Sequence, residues 1–364
     1  MNNRLKYIFA LIALFALAWQ PASAAGHGGE GEDLNVKELI LDHIGDAYEW
    51  HILTWKDTHV SIPLPVILFS EEKGFNLFSS SHLHHGASAH NGFYIAPEGE
   101  YKGKIVEKNA SGEEVRPWDF SITKNALSLL INSFILVLII LSVARWYKKN
   151  STKEDPKVPG GFTGFMELFI MNVNDDIIKP CVGKNYKKFA PYLLTAFFFI
   201  FINNIMGLIP IFPGGANVTG NIAITLILAL FTFVIVNVFG TKEYYKEIFW
   251  PEVPTWLKVP IPIMPAIEFV GVFTKPFALM IRLFANILAG HSIVLGLVCL
   301  IFVTVQLGAA INTSMTVVSV LLTIFIDFVE ILVAYIQAYV FTMLSAVFIG
   351  LAQVEPHHTH AEEH

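Results

Sequence analysis

Long apolar runs dominate the chain from about residue 121 to residue 353 and predict membrane-spanning helices. A helix needs about 20 apolar residues to cross a bilayer, and three runs have about that length: Ala126–Trp146, Ala190–Ile211 and Ile222–Phe239. Two much longer tracts follow, Ile261–Ile311 and Thr313–Gln353. The pattern predicts an all-α polytopic membrane protein with about five membrane-embedded helices.

The last two tracts are too long for one upright span. About 40 residues at about 1.5 Å each extend over about 60 Å, twice the roughly 30 Å thickness of the hydrocarbon core. Each tract is therefore a hairpin or one steeply tilted helix. The second tract has no Gly or Pro between Thr313 and Ile349, which favours a single long, tilted helix there. Both arrangements stay open for the first tract, in which kinks are permitted by Pro262, Pro265, Gly271 and Pro276.

Shorter periodicities appear outside these runs. Residues 161–182 repeat apolar side chains at helical spacing, with an interruption at the polar residues 174–176. They predict an amphipathic helix on the cytoplasmic surface, or else a loop with incidental periodicity. Strand-like stretches at His59–Leu68 and Gly92–Val106 predict a small domain within residues 25–120, whose fold the pattern does not define.

The N-terminus has the features of a secretory signal peptide. Two basic residues precede an apolar run from Tyr7 to Trp19, and the small residues at 22–24 predict cleavage after Ala24. The alternative is a first transmembrane helix, but the run is shorter than a span requires. A signal peptide at residues 1–24 would place residues 25–120 outside the cytoplasm.

Positive charges orient the spans, because Lys and Arg are retained on the cytoplasmic side. Basic residues follow the first span, precede the second and follow the third, whereas the opposite connections, 212–221 and 308–314, carry no charge. The first span is expected to run from outside to inside, with the tail at 354–364 in the cytoplasm. The basic residues are Arg145, Lys148, Lys149, Lys153, Lys157, Lys184, Lys187, Lys188, Lys242, Lys246 and Lys258.

Composition agrees with a membrane protein and argues against several functions. Of the 364 residues 54% are hydrophobic and 15% are charged, and the net charge is −6, so no interface with nucleic acid is expected. Cys181 and Cys299 are isolated and are interpreted as small core residues. No cofactor or bound metal is predicted. Two His-rich segments are either metal-binding patches or solvated flexible segments: HHTHAEEH at the C-terminus and SHLHHGASAH, with His82, His84, His85 and His90.

Ionisable side chains inside the long tracts indicate a functional site, because a charge within a span costs several kcal/mol. Glu268, Lys275 and Arg282 are seven residues apart, and Asn286 and Gly290 continue at intervals of four. At about 100° per residue these five positions lie along one stripe of a helix. Such a stripe is typical of an access path or a docking face.

His291 follows Arg282 by nine residues, about half a turn around the helix, so it is expected to face another helix. The last tract offers Glu330, with Asp327 three residues before it and Gln337 seven after it. A His beside a Glu in a low dielectric can exchange a proton near neutral pH. The two residues form either such a proton-exchange pair or a structural pair, and Asp327 has the same two interpretations.

Arg282 carries the central hypothesis. Its guanidinium stays protonated at physiological pH, so it attracts a carboxylate but does not relay a proton. Such a cation between two half-paths would block direct leakage and draw a passing carboxyl group into its ionised form. The alternative is a structural pair with an acid of this same chain.

The segment KPFALMIRLFANILAGHSI at Lys275–Ile293 resembles the signature of the subunit a family of F-type ATP synthases. The resemblance covers about residues 160–353 and rests on three further segments: GFTGFMELFIMNVNDDIIK before the second span, NNIMGLIP at Asn203–Pro210 and EILVAYIQAYVFTMLS at Glu330–Ser345.

The resemblance implies a stator subunit of the Fo sector in a bacterial inner membrane. Two tilted helices would wrap a ring of subunit c, and two half-channels would load and unload protons on the carboxylates of that ring. The implied partners are the c ring, the peripheral-stalk subunit b, the rest of the F1Fo complex and the lipid bilayer. ATP chemistry would belong to other subunits, so the chain is not expected to be an enzyme. Proton is the expected coupling ion.

The resemblance also assigns roles to residues. The essential Arg of the family falls on Arg282, with Asn286 and Gln337 as supporting polar positions, and the acid on the cytoplasmic side falls on Glu268. Lys275, Gly290 and Asp327 are further supporting positions.

The paired positions of the extracytoplasmic half-channel fall on His291 and Glu330. Some members of the family carry the acid on the first helix and the His on the second, and here the two are exchanged. Where some relatives carry an acid in the second span, this chain has Gly207, which receives no role in the proton path.

The main alternative class is an ion-coupled secondary transporter, which also uses charges inside the membrane. Transporters of that class commonly contain paired inverted repeats, and the sequence shows no internal repeat. A membrane enzyme such as an intramembrane protease is a weaker alternative.

Overall fold

The computed structural model describes residues 45–55, 58–86, 88–109, 112–150, 158–209, 212–250 and 263–353. The predicted signal peptide and the C-terminal tail with its His-rich segment lie outside these residues. The chain divides into two compact units. The first unit contains the residues up to Asn132, Met206–Val218 and His291–Asp327, and the second contains Ser133–Ile205, Thr219–Gly290 and the residues from Phe328 onward.

Short antiparallel strands form the N-terminal part of the first unit. They make a β1-β2 pair and two three-stranded sheets, ordered β4-β3-β8 and β5-β6-β7. A 3₁₀ helix, Ser80–Gly86, follows β4. Both predicted strand stretches are confirmed as strand-containing. The strands are β1 Glu49–Trp55, β2 Thr58–Pro63, β3 Pro65–Ser70, β4 Gly74–Ser79, β5 Phe93–Ile95, β6 Ile105–Lys108, β7 Glu114–Val115 and β8 Trp118–Asp119.

A compact apolar cluster holds these sheets together, and the hydroxyl of Tyr48 connects this cluster to β8. The Tyr48 hydroxyl donates a hydrogen bond of 2.5 Å to Asp119 Oδ2. Burial, together with this carboxylate, raises the pKa of Tyr48 well above its ordinary value, so the phenol keeps its proton and remains a donor. The cluster consists of Tyr48, Val66, Leu68, Phe78, Leu83, Phe93 and Ile105.

Helix α1 (Lys124–Asn150) begins directly after the strand-rich domain. Thr123 caps it, because its Oγ1 accepts a hydrogen bond from the Ala126 N–H at 3.4 Å. The Lys124 N–H donates to the Ala47 carbonyl at 2.8 Å, and the Asn125 N–H donates to Asp46 Oδ1 at 3.0 Å. The start of the helix is therefore fixed to the domain by hydrogen bonds from its first two N–H groups, one to a backbone carbonyl and one to a side-chain carboxylate.

Most of the described residues after α1 are helical. A π-helical stretch, Val173–Ile178, joins α2 to α3, and 3₁₀ turns precede α4 and α8 at Gly183–Asn185 and Thr304–Leu307. The helices are α2 Gly161–Asn172, α3 Lys179–Val182, α4 Tyr186–Leu208, α5 Ile222–Val238, α6 Lys242–Phe249, α7 Ile263–Val303 and α8 Ala309–Ala352.

The membrane spans agree with the prediction of about five embedded helices. Among the described residues, four stretches are long and apolar enough to cross a bilayer, and a fifth exists if α5 and α6, which are bent by 101° at their junction, form one span. Helices α7 and α8 are continuous over 41 and 44 residues, so neither long tract is a hairpin. The four stretches are Lys124–Asn150, Gly161–Leu208, Met264–Leu307 and Ala309–Ala352.

The segment 161–182 is helical, as predicted, but its polar residues do not interrupt it. The chain widens into the π-helical stretch at these residues, so that Val173, Ile177 and Ile178 are all buried while Asp176 stays exposed. The helical run continues through α4 to Leu208. The interruption seen in the sequence is therefore a local change of helical pitch and not a break.

Polar contacts between helices pin the core of the second unit. The Tyr192 and Thr232 hydroxyls lie 2.8 Å apart, and Thr232 lies 3.2 Å from the Ser345 hydroxyl. These contacts join α4, α5 and α8. Gly350 of α8 packs against the backbone of α3, where the Cys181 carbonyl occupies the place of a side chain. Only a residue without Cβ allows the two backbones to approach so closely.

Candidate functional site

Arg282 lies near the middle of α7, on a helix surface that the described residues leave exposed. Ala278, Ala285 and Asn286 are exposed beside it, and Ile281 is 38% exposed. Within the described ranges, the Arg282 side chain has no hydrogen-bond or ion-pair partner. A cation on an apolar helix is costly unless it meets water or an opposite charge. The structural pair considered for Arg282 is thus not present among these residues, and the surface around Arg282 suits an anionic partner.

The residues of the predicted stripe on α7 differ in how far they are exposed. Arg282 and Asn286 are exposed, whereas Glu268, Lys275 and Gly290 are partly buried. Lys275 Nζ lies 5.8 Å from the centroid of the Phe348 ring on α8. The N-terminal half of α7 therefore packs against the bundle of the second unit, while the surface at Arg282 is not covered by the described chain.

Lys275 also lines a small cavity of about 20 Å³ between α5, α6, α7 and α8, which has room for about one water molecule. Asn237 and Tyr244 contribute polar atoms to its wall. Glu268 lies near enough to Tyr244 for the two to interact electrostatically. Lys275 and Glu268 thus lie in a partly buried environment.

Glu330 of α8 lies directly over Gly290 of α7. A Cβ atom at position 290 would be 2.5 Å from Glu330 Oε1 and 3.2 Å from its Cδ. The glycine therefore lets the carboxylate reach the backbone of α7 one residue before His291. Gln337, two turns further along α8, is 8% exposed and faces the interior of the second unit.

His291 is partly buried and lies near the end of α4, whereas Arg282 is exposed. A Cβ atom at Gly207, near the end of α4, would lie 3.7 Å from His291 Nε2 and 3.4 Å from the Ala216 carbonyl oxygen. These are ordinary contact distances, so the backbone of Gly207 and the imidazole of His291 are close neighbours. The pairing of His291 with Glu330 stays a prediction.

Three further residues complete the comparison with the sequence. Asp327 is partly buried in α8 and has no hydrogen bond or ion pair to any described residue. Asn204 of α4 was not singled out, yet it accepts a 2.6 Å hydrogen bond from Thr219 and donates to the Ala334 carbonyl at 3.5 Å. The signal for Gly207 was its place inside an apolar helix, where a glycine often marks a close approach.

The fold and the site together define a class of protein. Continuous apolar helices carry charged and polar residues at mid-helix positions, and Arg282 is exposed with no hydrogen-bond or ion-pair partner among the described residues. Such residues mark ion paths in membrane proteins. The chain is a multi-pass α-helical membrane protein built around intramembrane ionisable groups.

Comparison with known proteins identifies the family. The family model described as ATP synthase A chain matches residues 129–350. ATP synthase subunit a of Chlorobium phaeobacteroides is 41% identical over 67% of this chain and 69% of its own length. ATP synthase subunit a 2 of Chlorobaculum tepidum is 43% identical over 66% of this chain and 65% of its own length. ATP synthase subunit a of an Anaeromyxobacter species is 33% identical over 94% of this chain and 77% of its own length. The chain belongs to the ATP synthase A chain family, as an Fo subunit that works within the F1Fo complex.

The strand-rich domain has a separate match. A model described as a domain of unknown function covers residues 39–120. This segment ends just before α1 and contains the three small sheets. The domain and the membrane helices are therefore two distinct sequence modules in one chain.

Proposed function

We propose that this subunit exchanges protons with carboxylates on a ring of subunit c, and that Arg282 separates two half-channels. The observation that carries the proposal is the exposure of Arg282 on α7 with no hydrogen-bond or ion-pair partner among the described residues. A guanidinium holds its proton at physiological pH, so Arg282 acts as a fixed charge and not as a relay. A carboxylate of the ring would supply the counter-charge.

The proton path follows from this assignment. A proton arrives from outside through the region of His291, Glu330 and Asn286, with Gln337 in support, and neutralises a ring carboxylate. The neutral site leaves Arg282 and enters lipid, because desolvation penalises only the charged form. After nearly a full turn it reaches the second half-channel near Glu268, ionises and returns toward Arg282.

Three polar or small positions support this path. Lys275 adds positive charge beside the Glu268 half-channel, and Gly290 gives the Glu330 carboxylate its place against α7. Asp327 lies three residues before Glu330 on α8, at the side of the proposed external half-channel.

The proposed division of labour leaves ATP chemistry to other subunits. Each proton that crosses yields about 2.3 kcal/mol per about 100 mV of membrane potential, so several must cross for each ATP. The proposed contacts are the c ring and the peripheral-stalk subunit b. The distribution of basic residues supports an orientation with the C-terminus in the cytoplasm and residues 25–120 on the other side of a bacterial inner membrane.

Cross-linking tests the docking surface and its function together. Ala285→Cys, in a chain that also carries Cys181→Ala and Cys299→Ala, would be combined with a cysteine on the carboxylate-bearing helix of subunit c. Oxidation with copper phenanthroline is expected to join the two subunits and stop ATP-driven proton pumping, and reduction is expected to restore it. Ala144→Cys, at an exposed position of α1, is the matched control and should not cross-link. Absence of a cross-link at position 285 in an assembled complex, or pumping that continues after cross-linking, would reject the proposal.

Replacing Gly290 by alanine tests the position of Glu330. The new methyl group would lie 2.5 Å from Glu330 Oε1, so the flexible carboxylate must move while the helices stay in place. We expect ATP-driven pumping in inverted vesicles to fall several-fold with assembly retained. Gly271→Ala, on the same helix and with no heavy atom within 4 Å, should pump at the native rate. Native pumping by both variants would show that the observed place of Glu330 is not required.

A further inference from the structure

We propose that one face of the sheet β4-β3-β8 lies in the membrane interface and binds the lipid surface beside α1. We call this surface the aromatic face. It is formed by side chains that the described residues leave 48–66% exposed: Phe69, Phe75, Leu77, Trp118 and Phe120.

The strand register places these side chains on one side of the sheet. Phe69 pairs with both Phe75 and Trp118, and Ile67 pairs with Leu77. Side chains alternate between the two faces of a strand, so the intervening residues point the other way. Val66 and Leu68, on that opposite side, are 0% exposed and form the domain core. The sheet is thus apolar on both sides, although only one side is covered by the described chain.

The aromatic face is held close to the point where α1 begins. Phe120 precedes Lys124 by four residues, a distance of at most about 14 Å even for an extended chain. The connection is not free, because the Phe120 and Ile122 N–H groups donate to the carbonyls of Ile67 and Pro65 at 2.9 and 3.1 Å. The sheet is therefore fixed near the first turn of a membrane-spanning helix.

A second contact places the domain beside the helix ends. Trp50 of β1 packs edge-on against Phe212, with ring centroids 5.0 Å apart. Phe212 lies in the connection between α4 and α5, and Trp50 is buried. The domain thus borders the end of a second membrane helix as well as the start of α1.

The chemistry of the aromatic face favours lipid as its occupant. Trp and Phe side chains are typical of elements that lie in the boundary between headgroups and acyl chains. Contiguous exposed apolar surface is rare on a domain that faces only water. The face also ends four residues before α1, a helix long and apolar enough to cross a membrane, on which Leu130 is exposed. The domain therefore acts as an interfacial anchor, a role that does not depend on the proton path.

Lipid-depth quenching tests this anchor in the assembled complex. Single cysteines at Phe75, Leu77 and Trp118, in the Cys181→Ala, Cys299→Ala background, would carry a fluorescent label after reconstitution in phosphatidylcholine vesicles. A nitroxide near the carbonyl end of the acyl chain is expected to quench these labels several-fold more than aqueous iodide does. Glu98→Cys, in an exposed loop of the same domain, should respond to iodide instead, and Phe134→Cys should respond best to a nitroxide deep in the bilayer.

Two other outcomes would each overturn the proposal. Labels at 75, 77 and 118 that respond to iodide as Glu98→Cys does would show that water covers the face. Labels protected from both iodide and lipid nitroxide would show that a protein covers it. Since three positions are tested separately, failure of one variant to assemble leaves the other two to decide.

Discussion

Replacing Arg282 by glutamine is expected to abolish ATP-driven proton pumping while the complex still assembles. Arg282 is exposed on α7 and has no hydrogen bond or ion pair to the described residues, so its removal disturbs little packing. At a separation of about 4 Å and an effective dielectric constant of about 20, its attraction for a carboxylate is worth about 4 kcal/mol. That corresponds to about three pKa units, enough to leave a ring carboxyl group protonated where it should ionise.

The measurement is acidification of inverted membrane vesicles on addition of ATP, normalised to the amount of assembled complex. Arg145→Gln is the matched control, because Arg145 is also exposed on an apolar helix but lies near the end of α1. It should pump at the native rate. Native pumping by Arg282→Gln in an assembled complex would remove the central residue of the proposed mechanism.

Replacing Gly350 by valine is expected to prevent stable assembly of the subunit. At this position α8 meets the Cys181 carbonyl, and a Cβ atom would also lie 3.5 Å from the Val182 Cα. These atoms are backbone and cannot rotate away, so α8 would have to separate from α3. Overpacking of this kind costs about 1–3 kcal/mol or more. We expect the amount of subunit that remains in the solubilised complex after heating to fall several-fold. Immunoblotting measures this amount.

A valine elsewhere in a long helix separates this effect from helix propensity. Gly296 lies in α7 with no heavy atom within 4 Å of an added Cβ, so Gly296→Val should leave assembly close to native. Equal thermal stability of the Gly350→Val and Gly296→Val complexes would show that the close approach of α8 to α3 does not stabilise the subunit.

The helices were predictable because a bilayer leaves few choices for the backbone. Every backbone polar group in the hydrocarbon core needs an internal partner, so a long apolar run must be helical. The absence of Gly and Pro from Thr313 to Ile349 likewise predicted the unbroken α8. For α7 the sequence left a hairpin open, because Pro276 signals a possible break, but the helix accommodates it.

The neighbours of each side chain were harder to predict than its angular position around the helix. The spacing of Lys275 and Arg282 placed both on one stripe, but only the structure shows that Lys275 packs near Phe348 while Arg282 is exposed. Periodicity describes the face of one helix and carries no information about which neighbour covers it. The contacts at Gly290 and Gly207 were missed for the same reason, since each depends on a residue distant in sequence.

The strand-rich domain shows a different limit. Its strands have local signatures, but their pairing joins β3 to β8 across half of the domain, and register over such a distance is set by the shared core. In its His-rich segment, the His82 and His90 rings stack with centroids 4.5 Å apart. Among the residues that the structure describes, no group of three or more His, Cys, Asp or Glu side chains is arranged to hold a metal ion.

Gly207 and His291 are in close contact, so the side chain at one position affects which side chains fit at the other. A Cβ at position 207 would lie 3.7 Å from His291 Nε2, which is an ordinary contact distance, so a longer side chain there would have to be accommodated beside the ring. An acid at position 207 would bring its carboxylate close to the imidazole of His291. A change at either position therefore alters the surroundings of the other, although the two residues are far apart in the sequence.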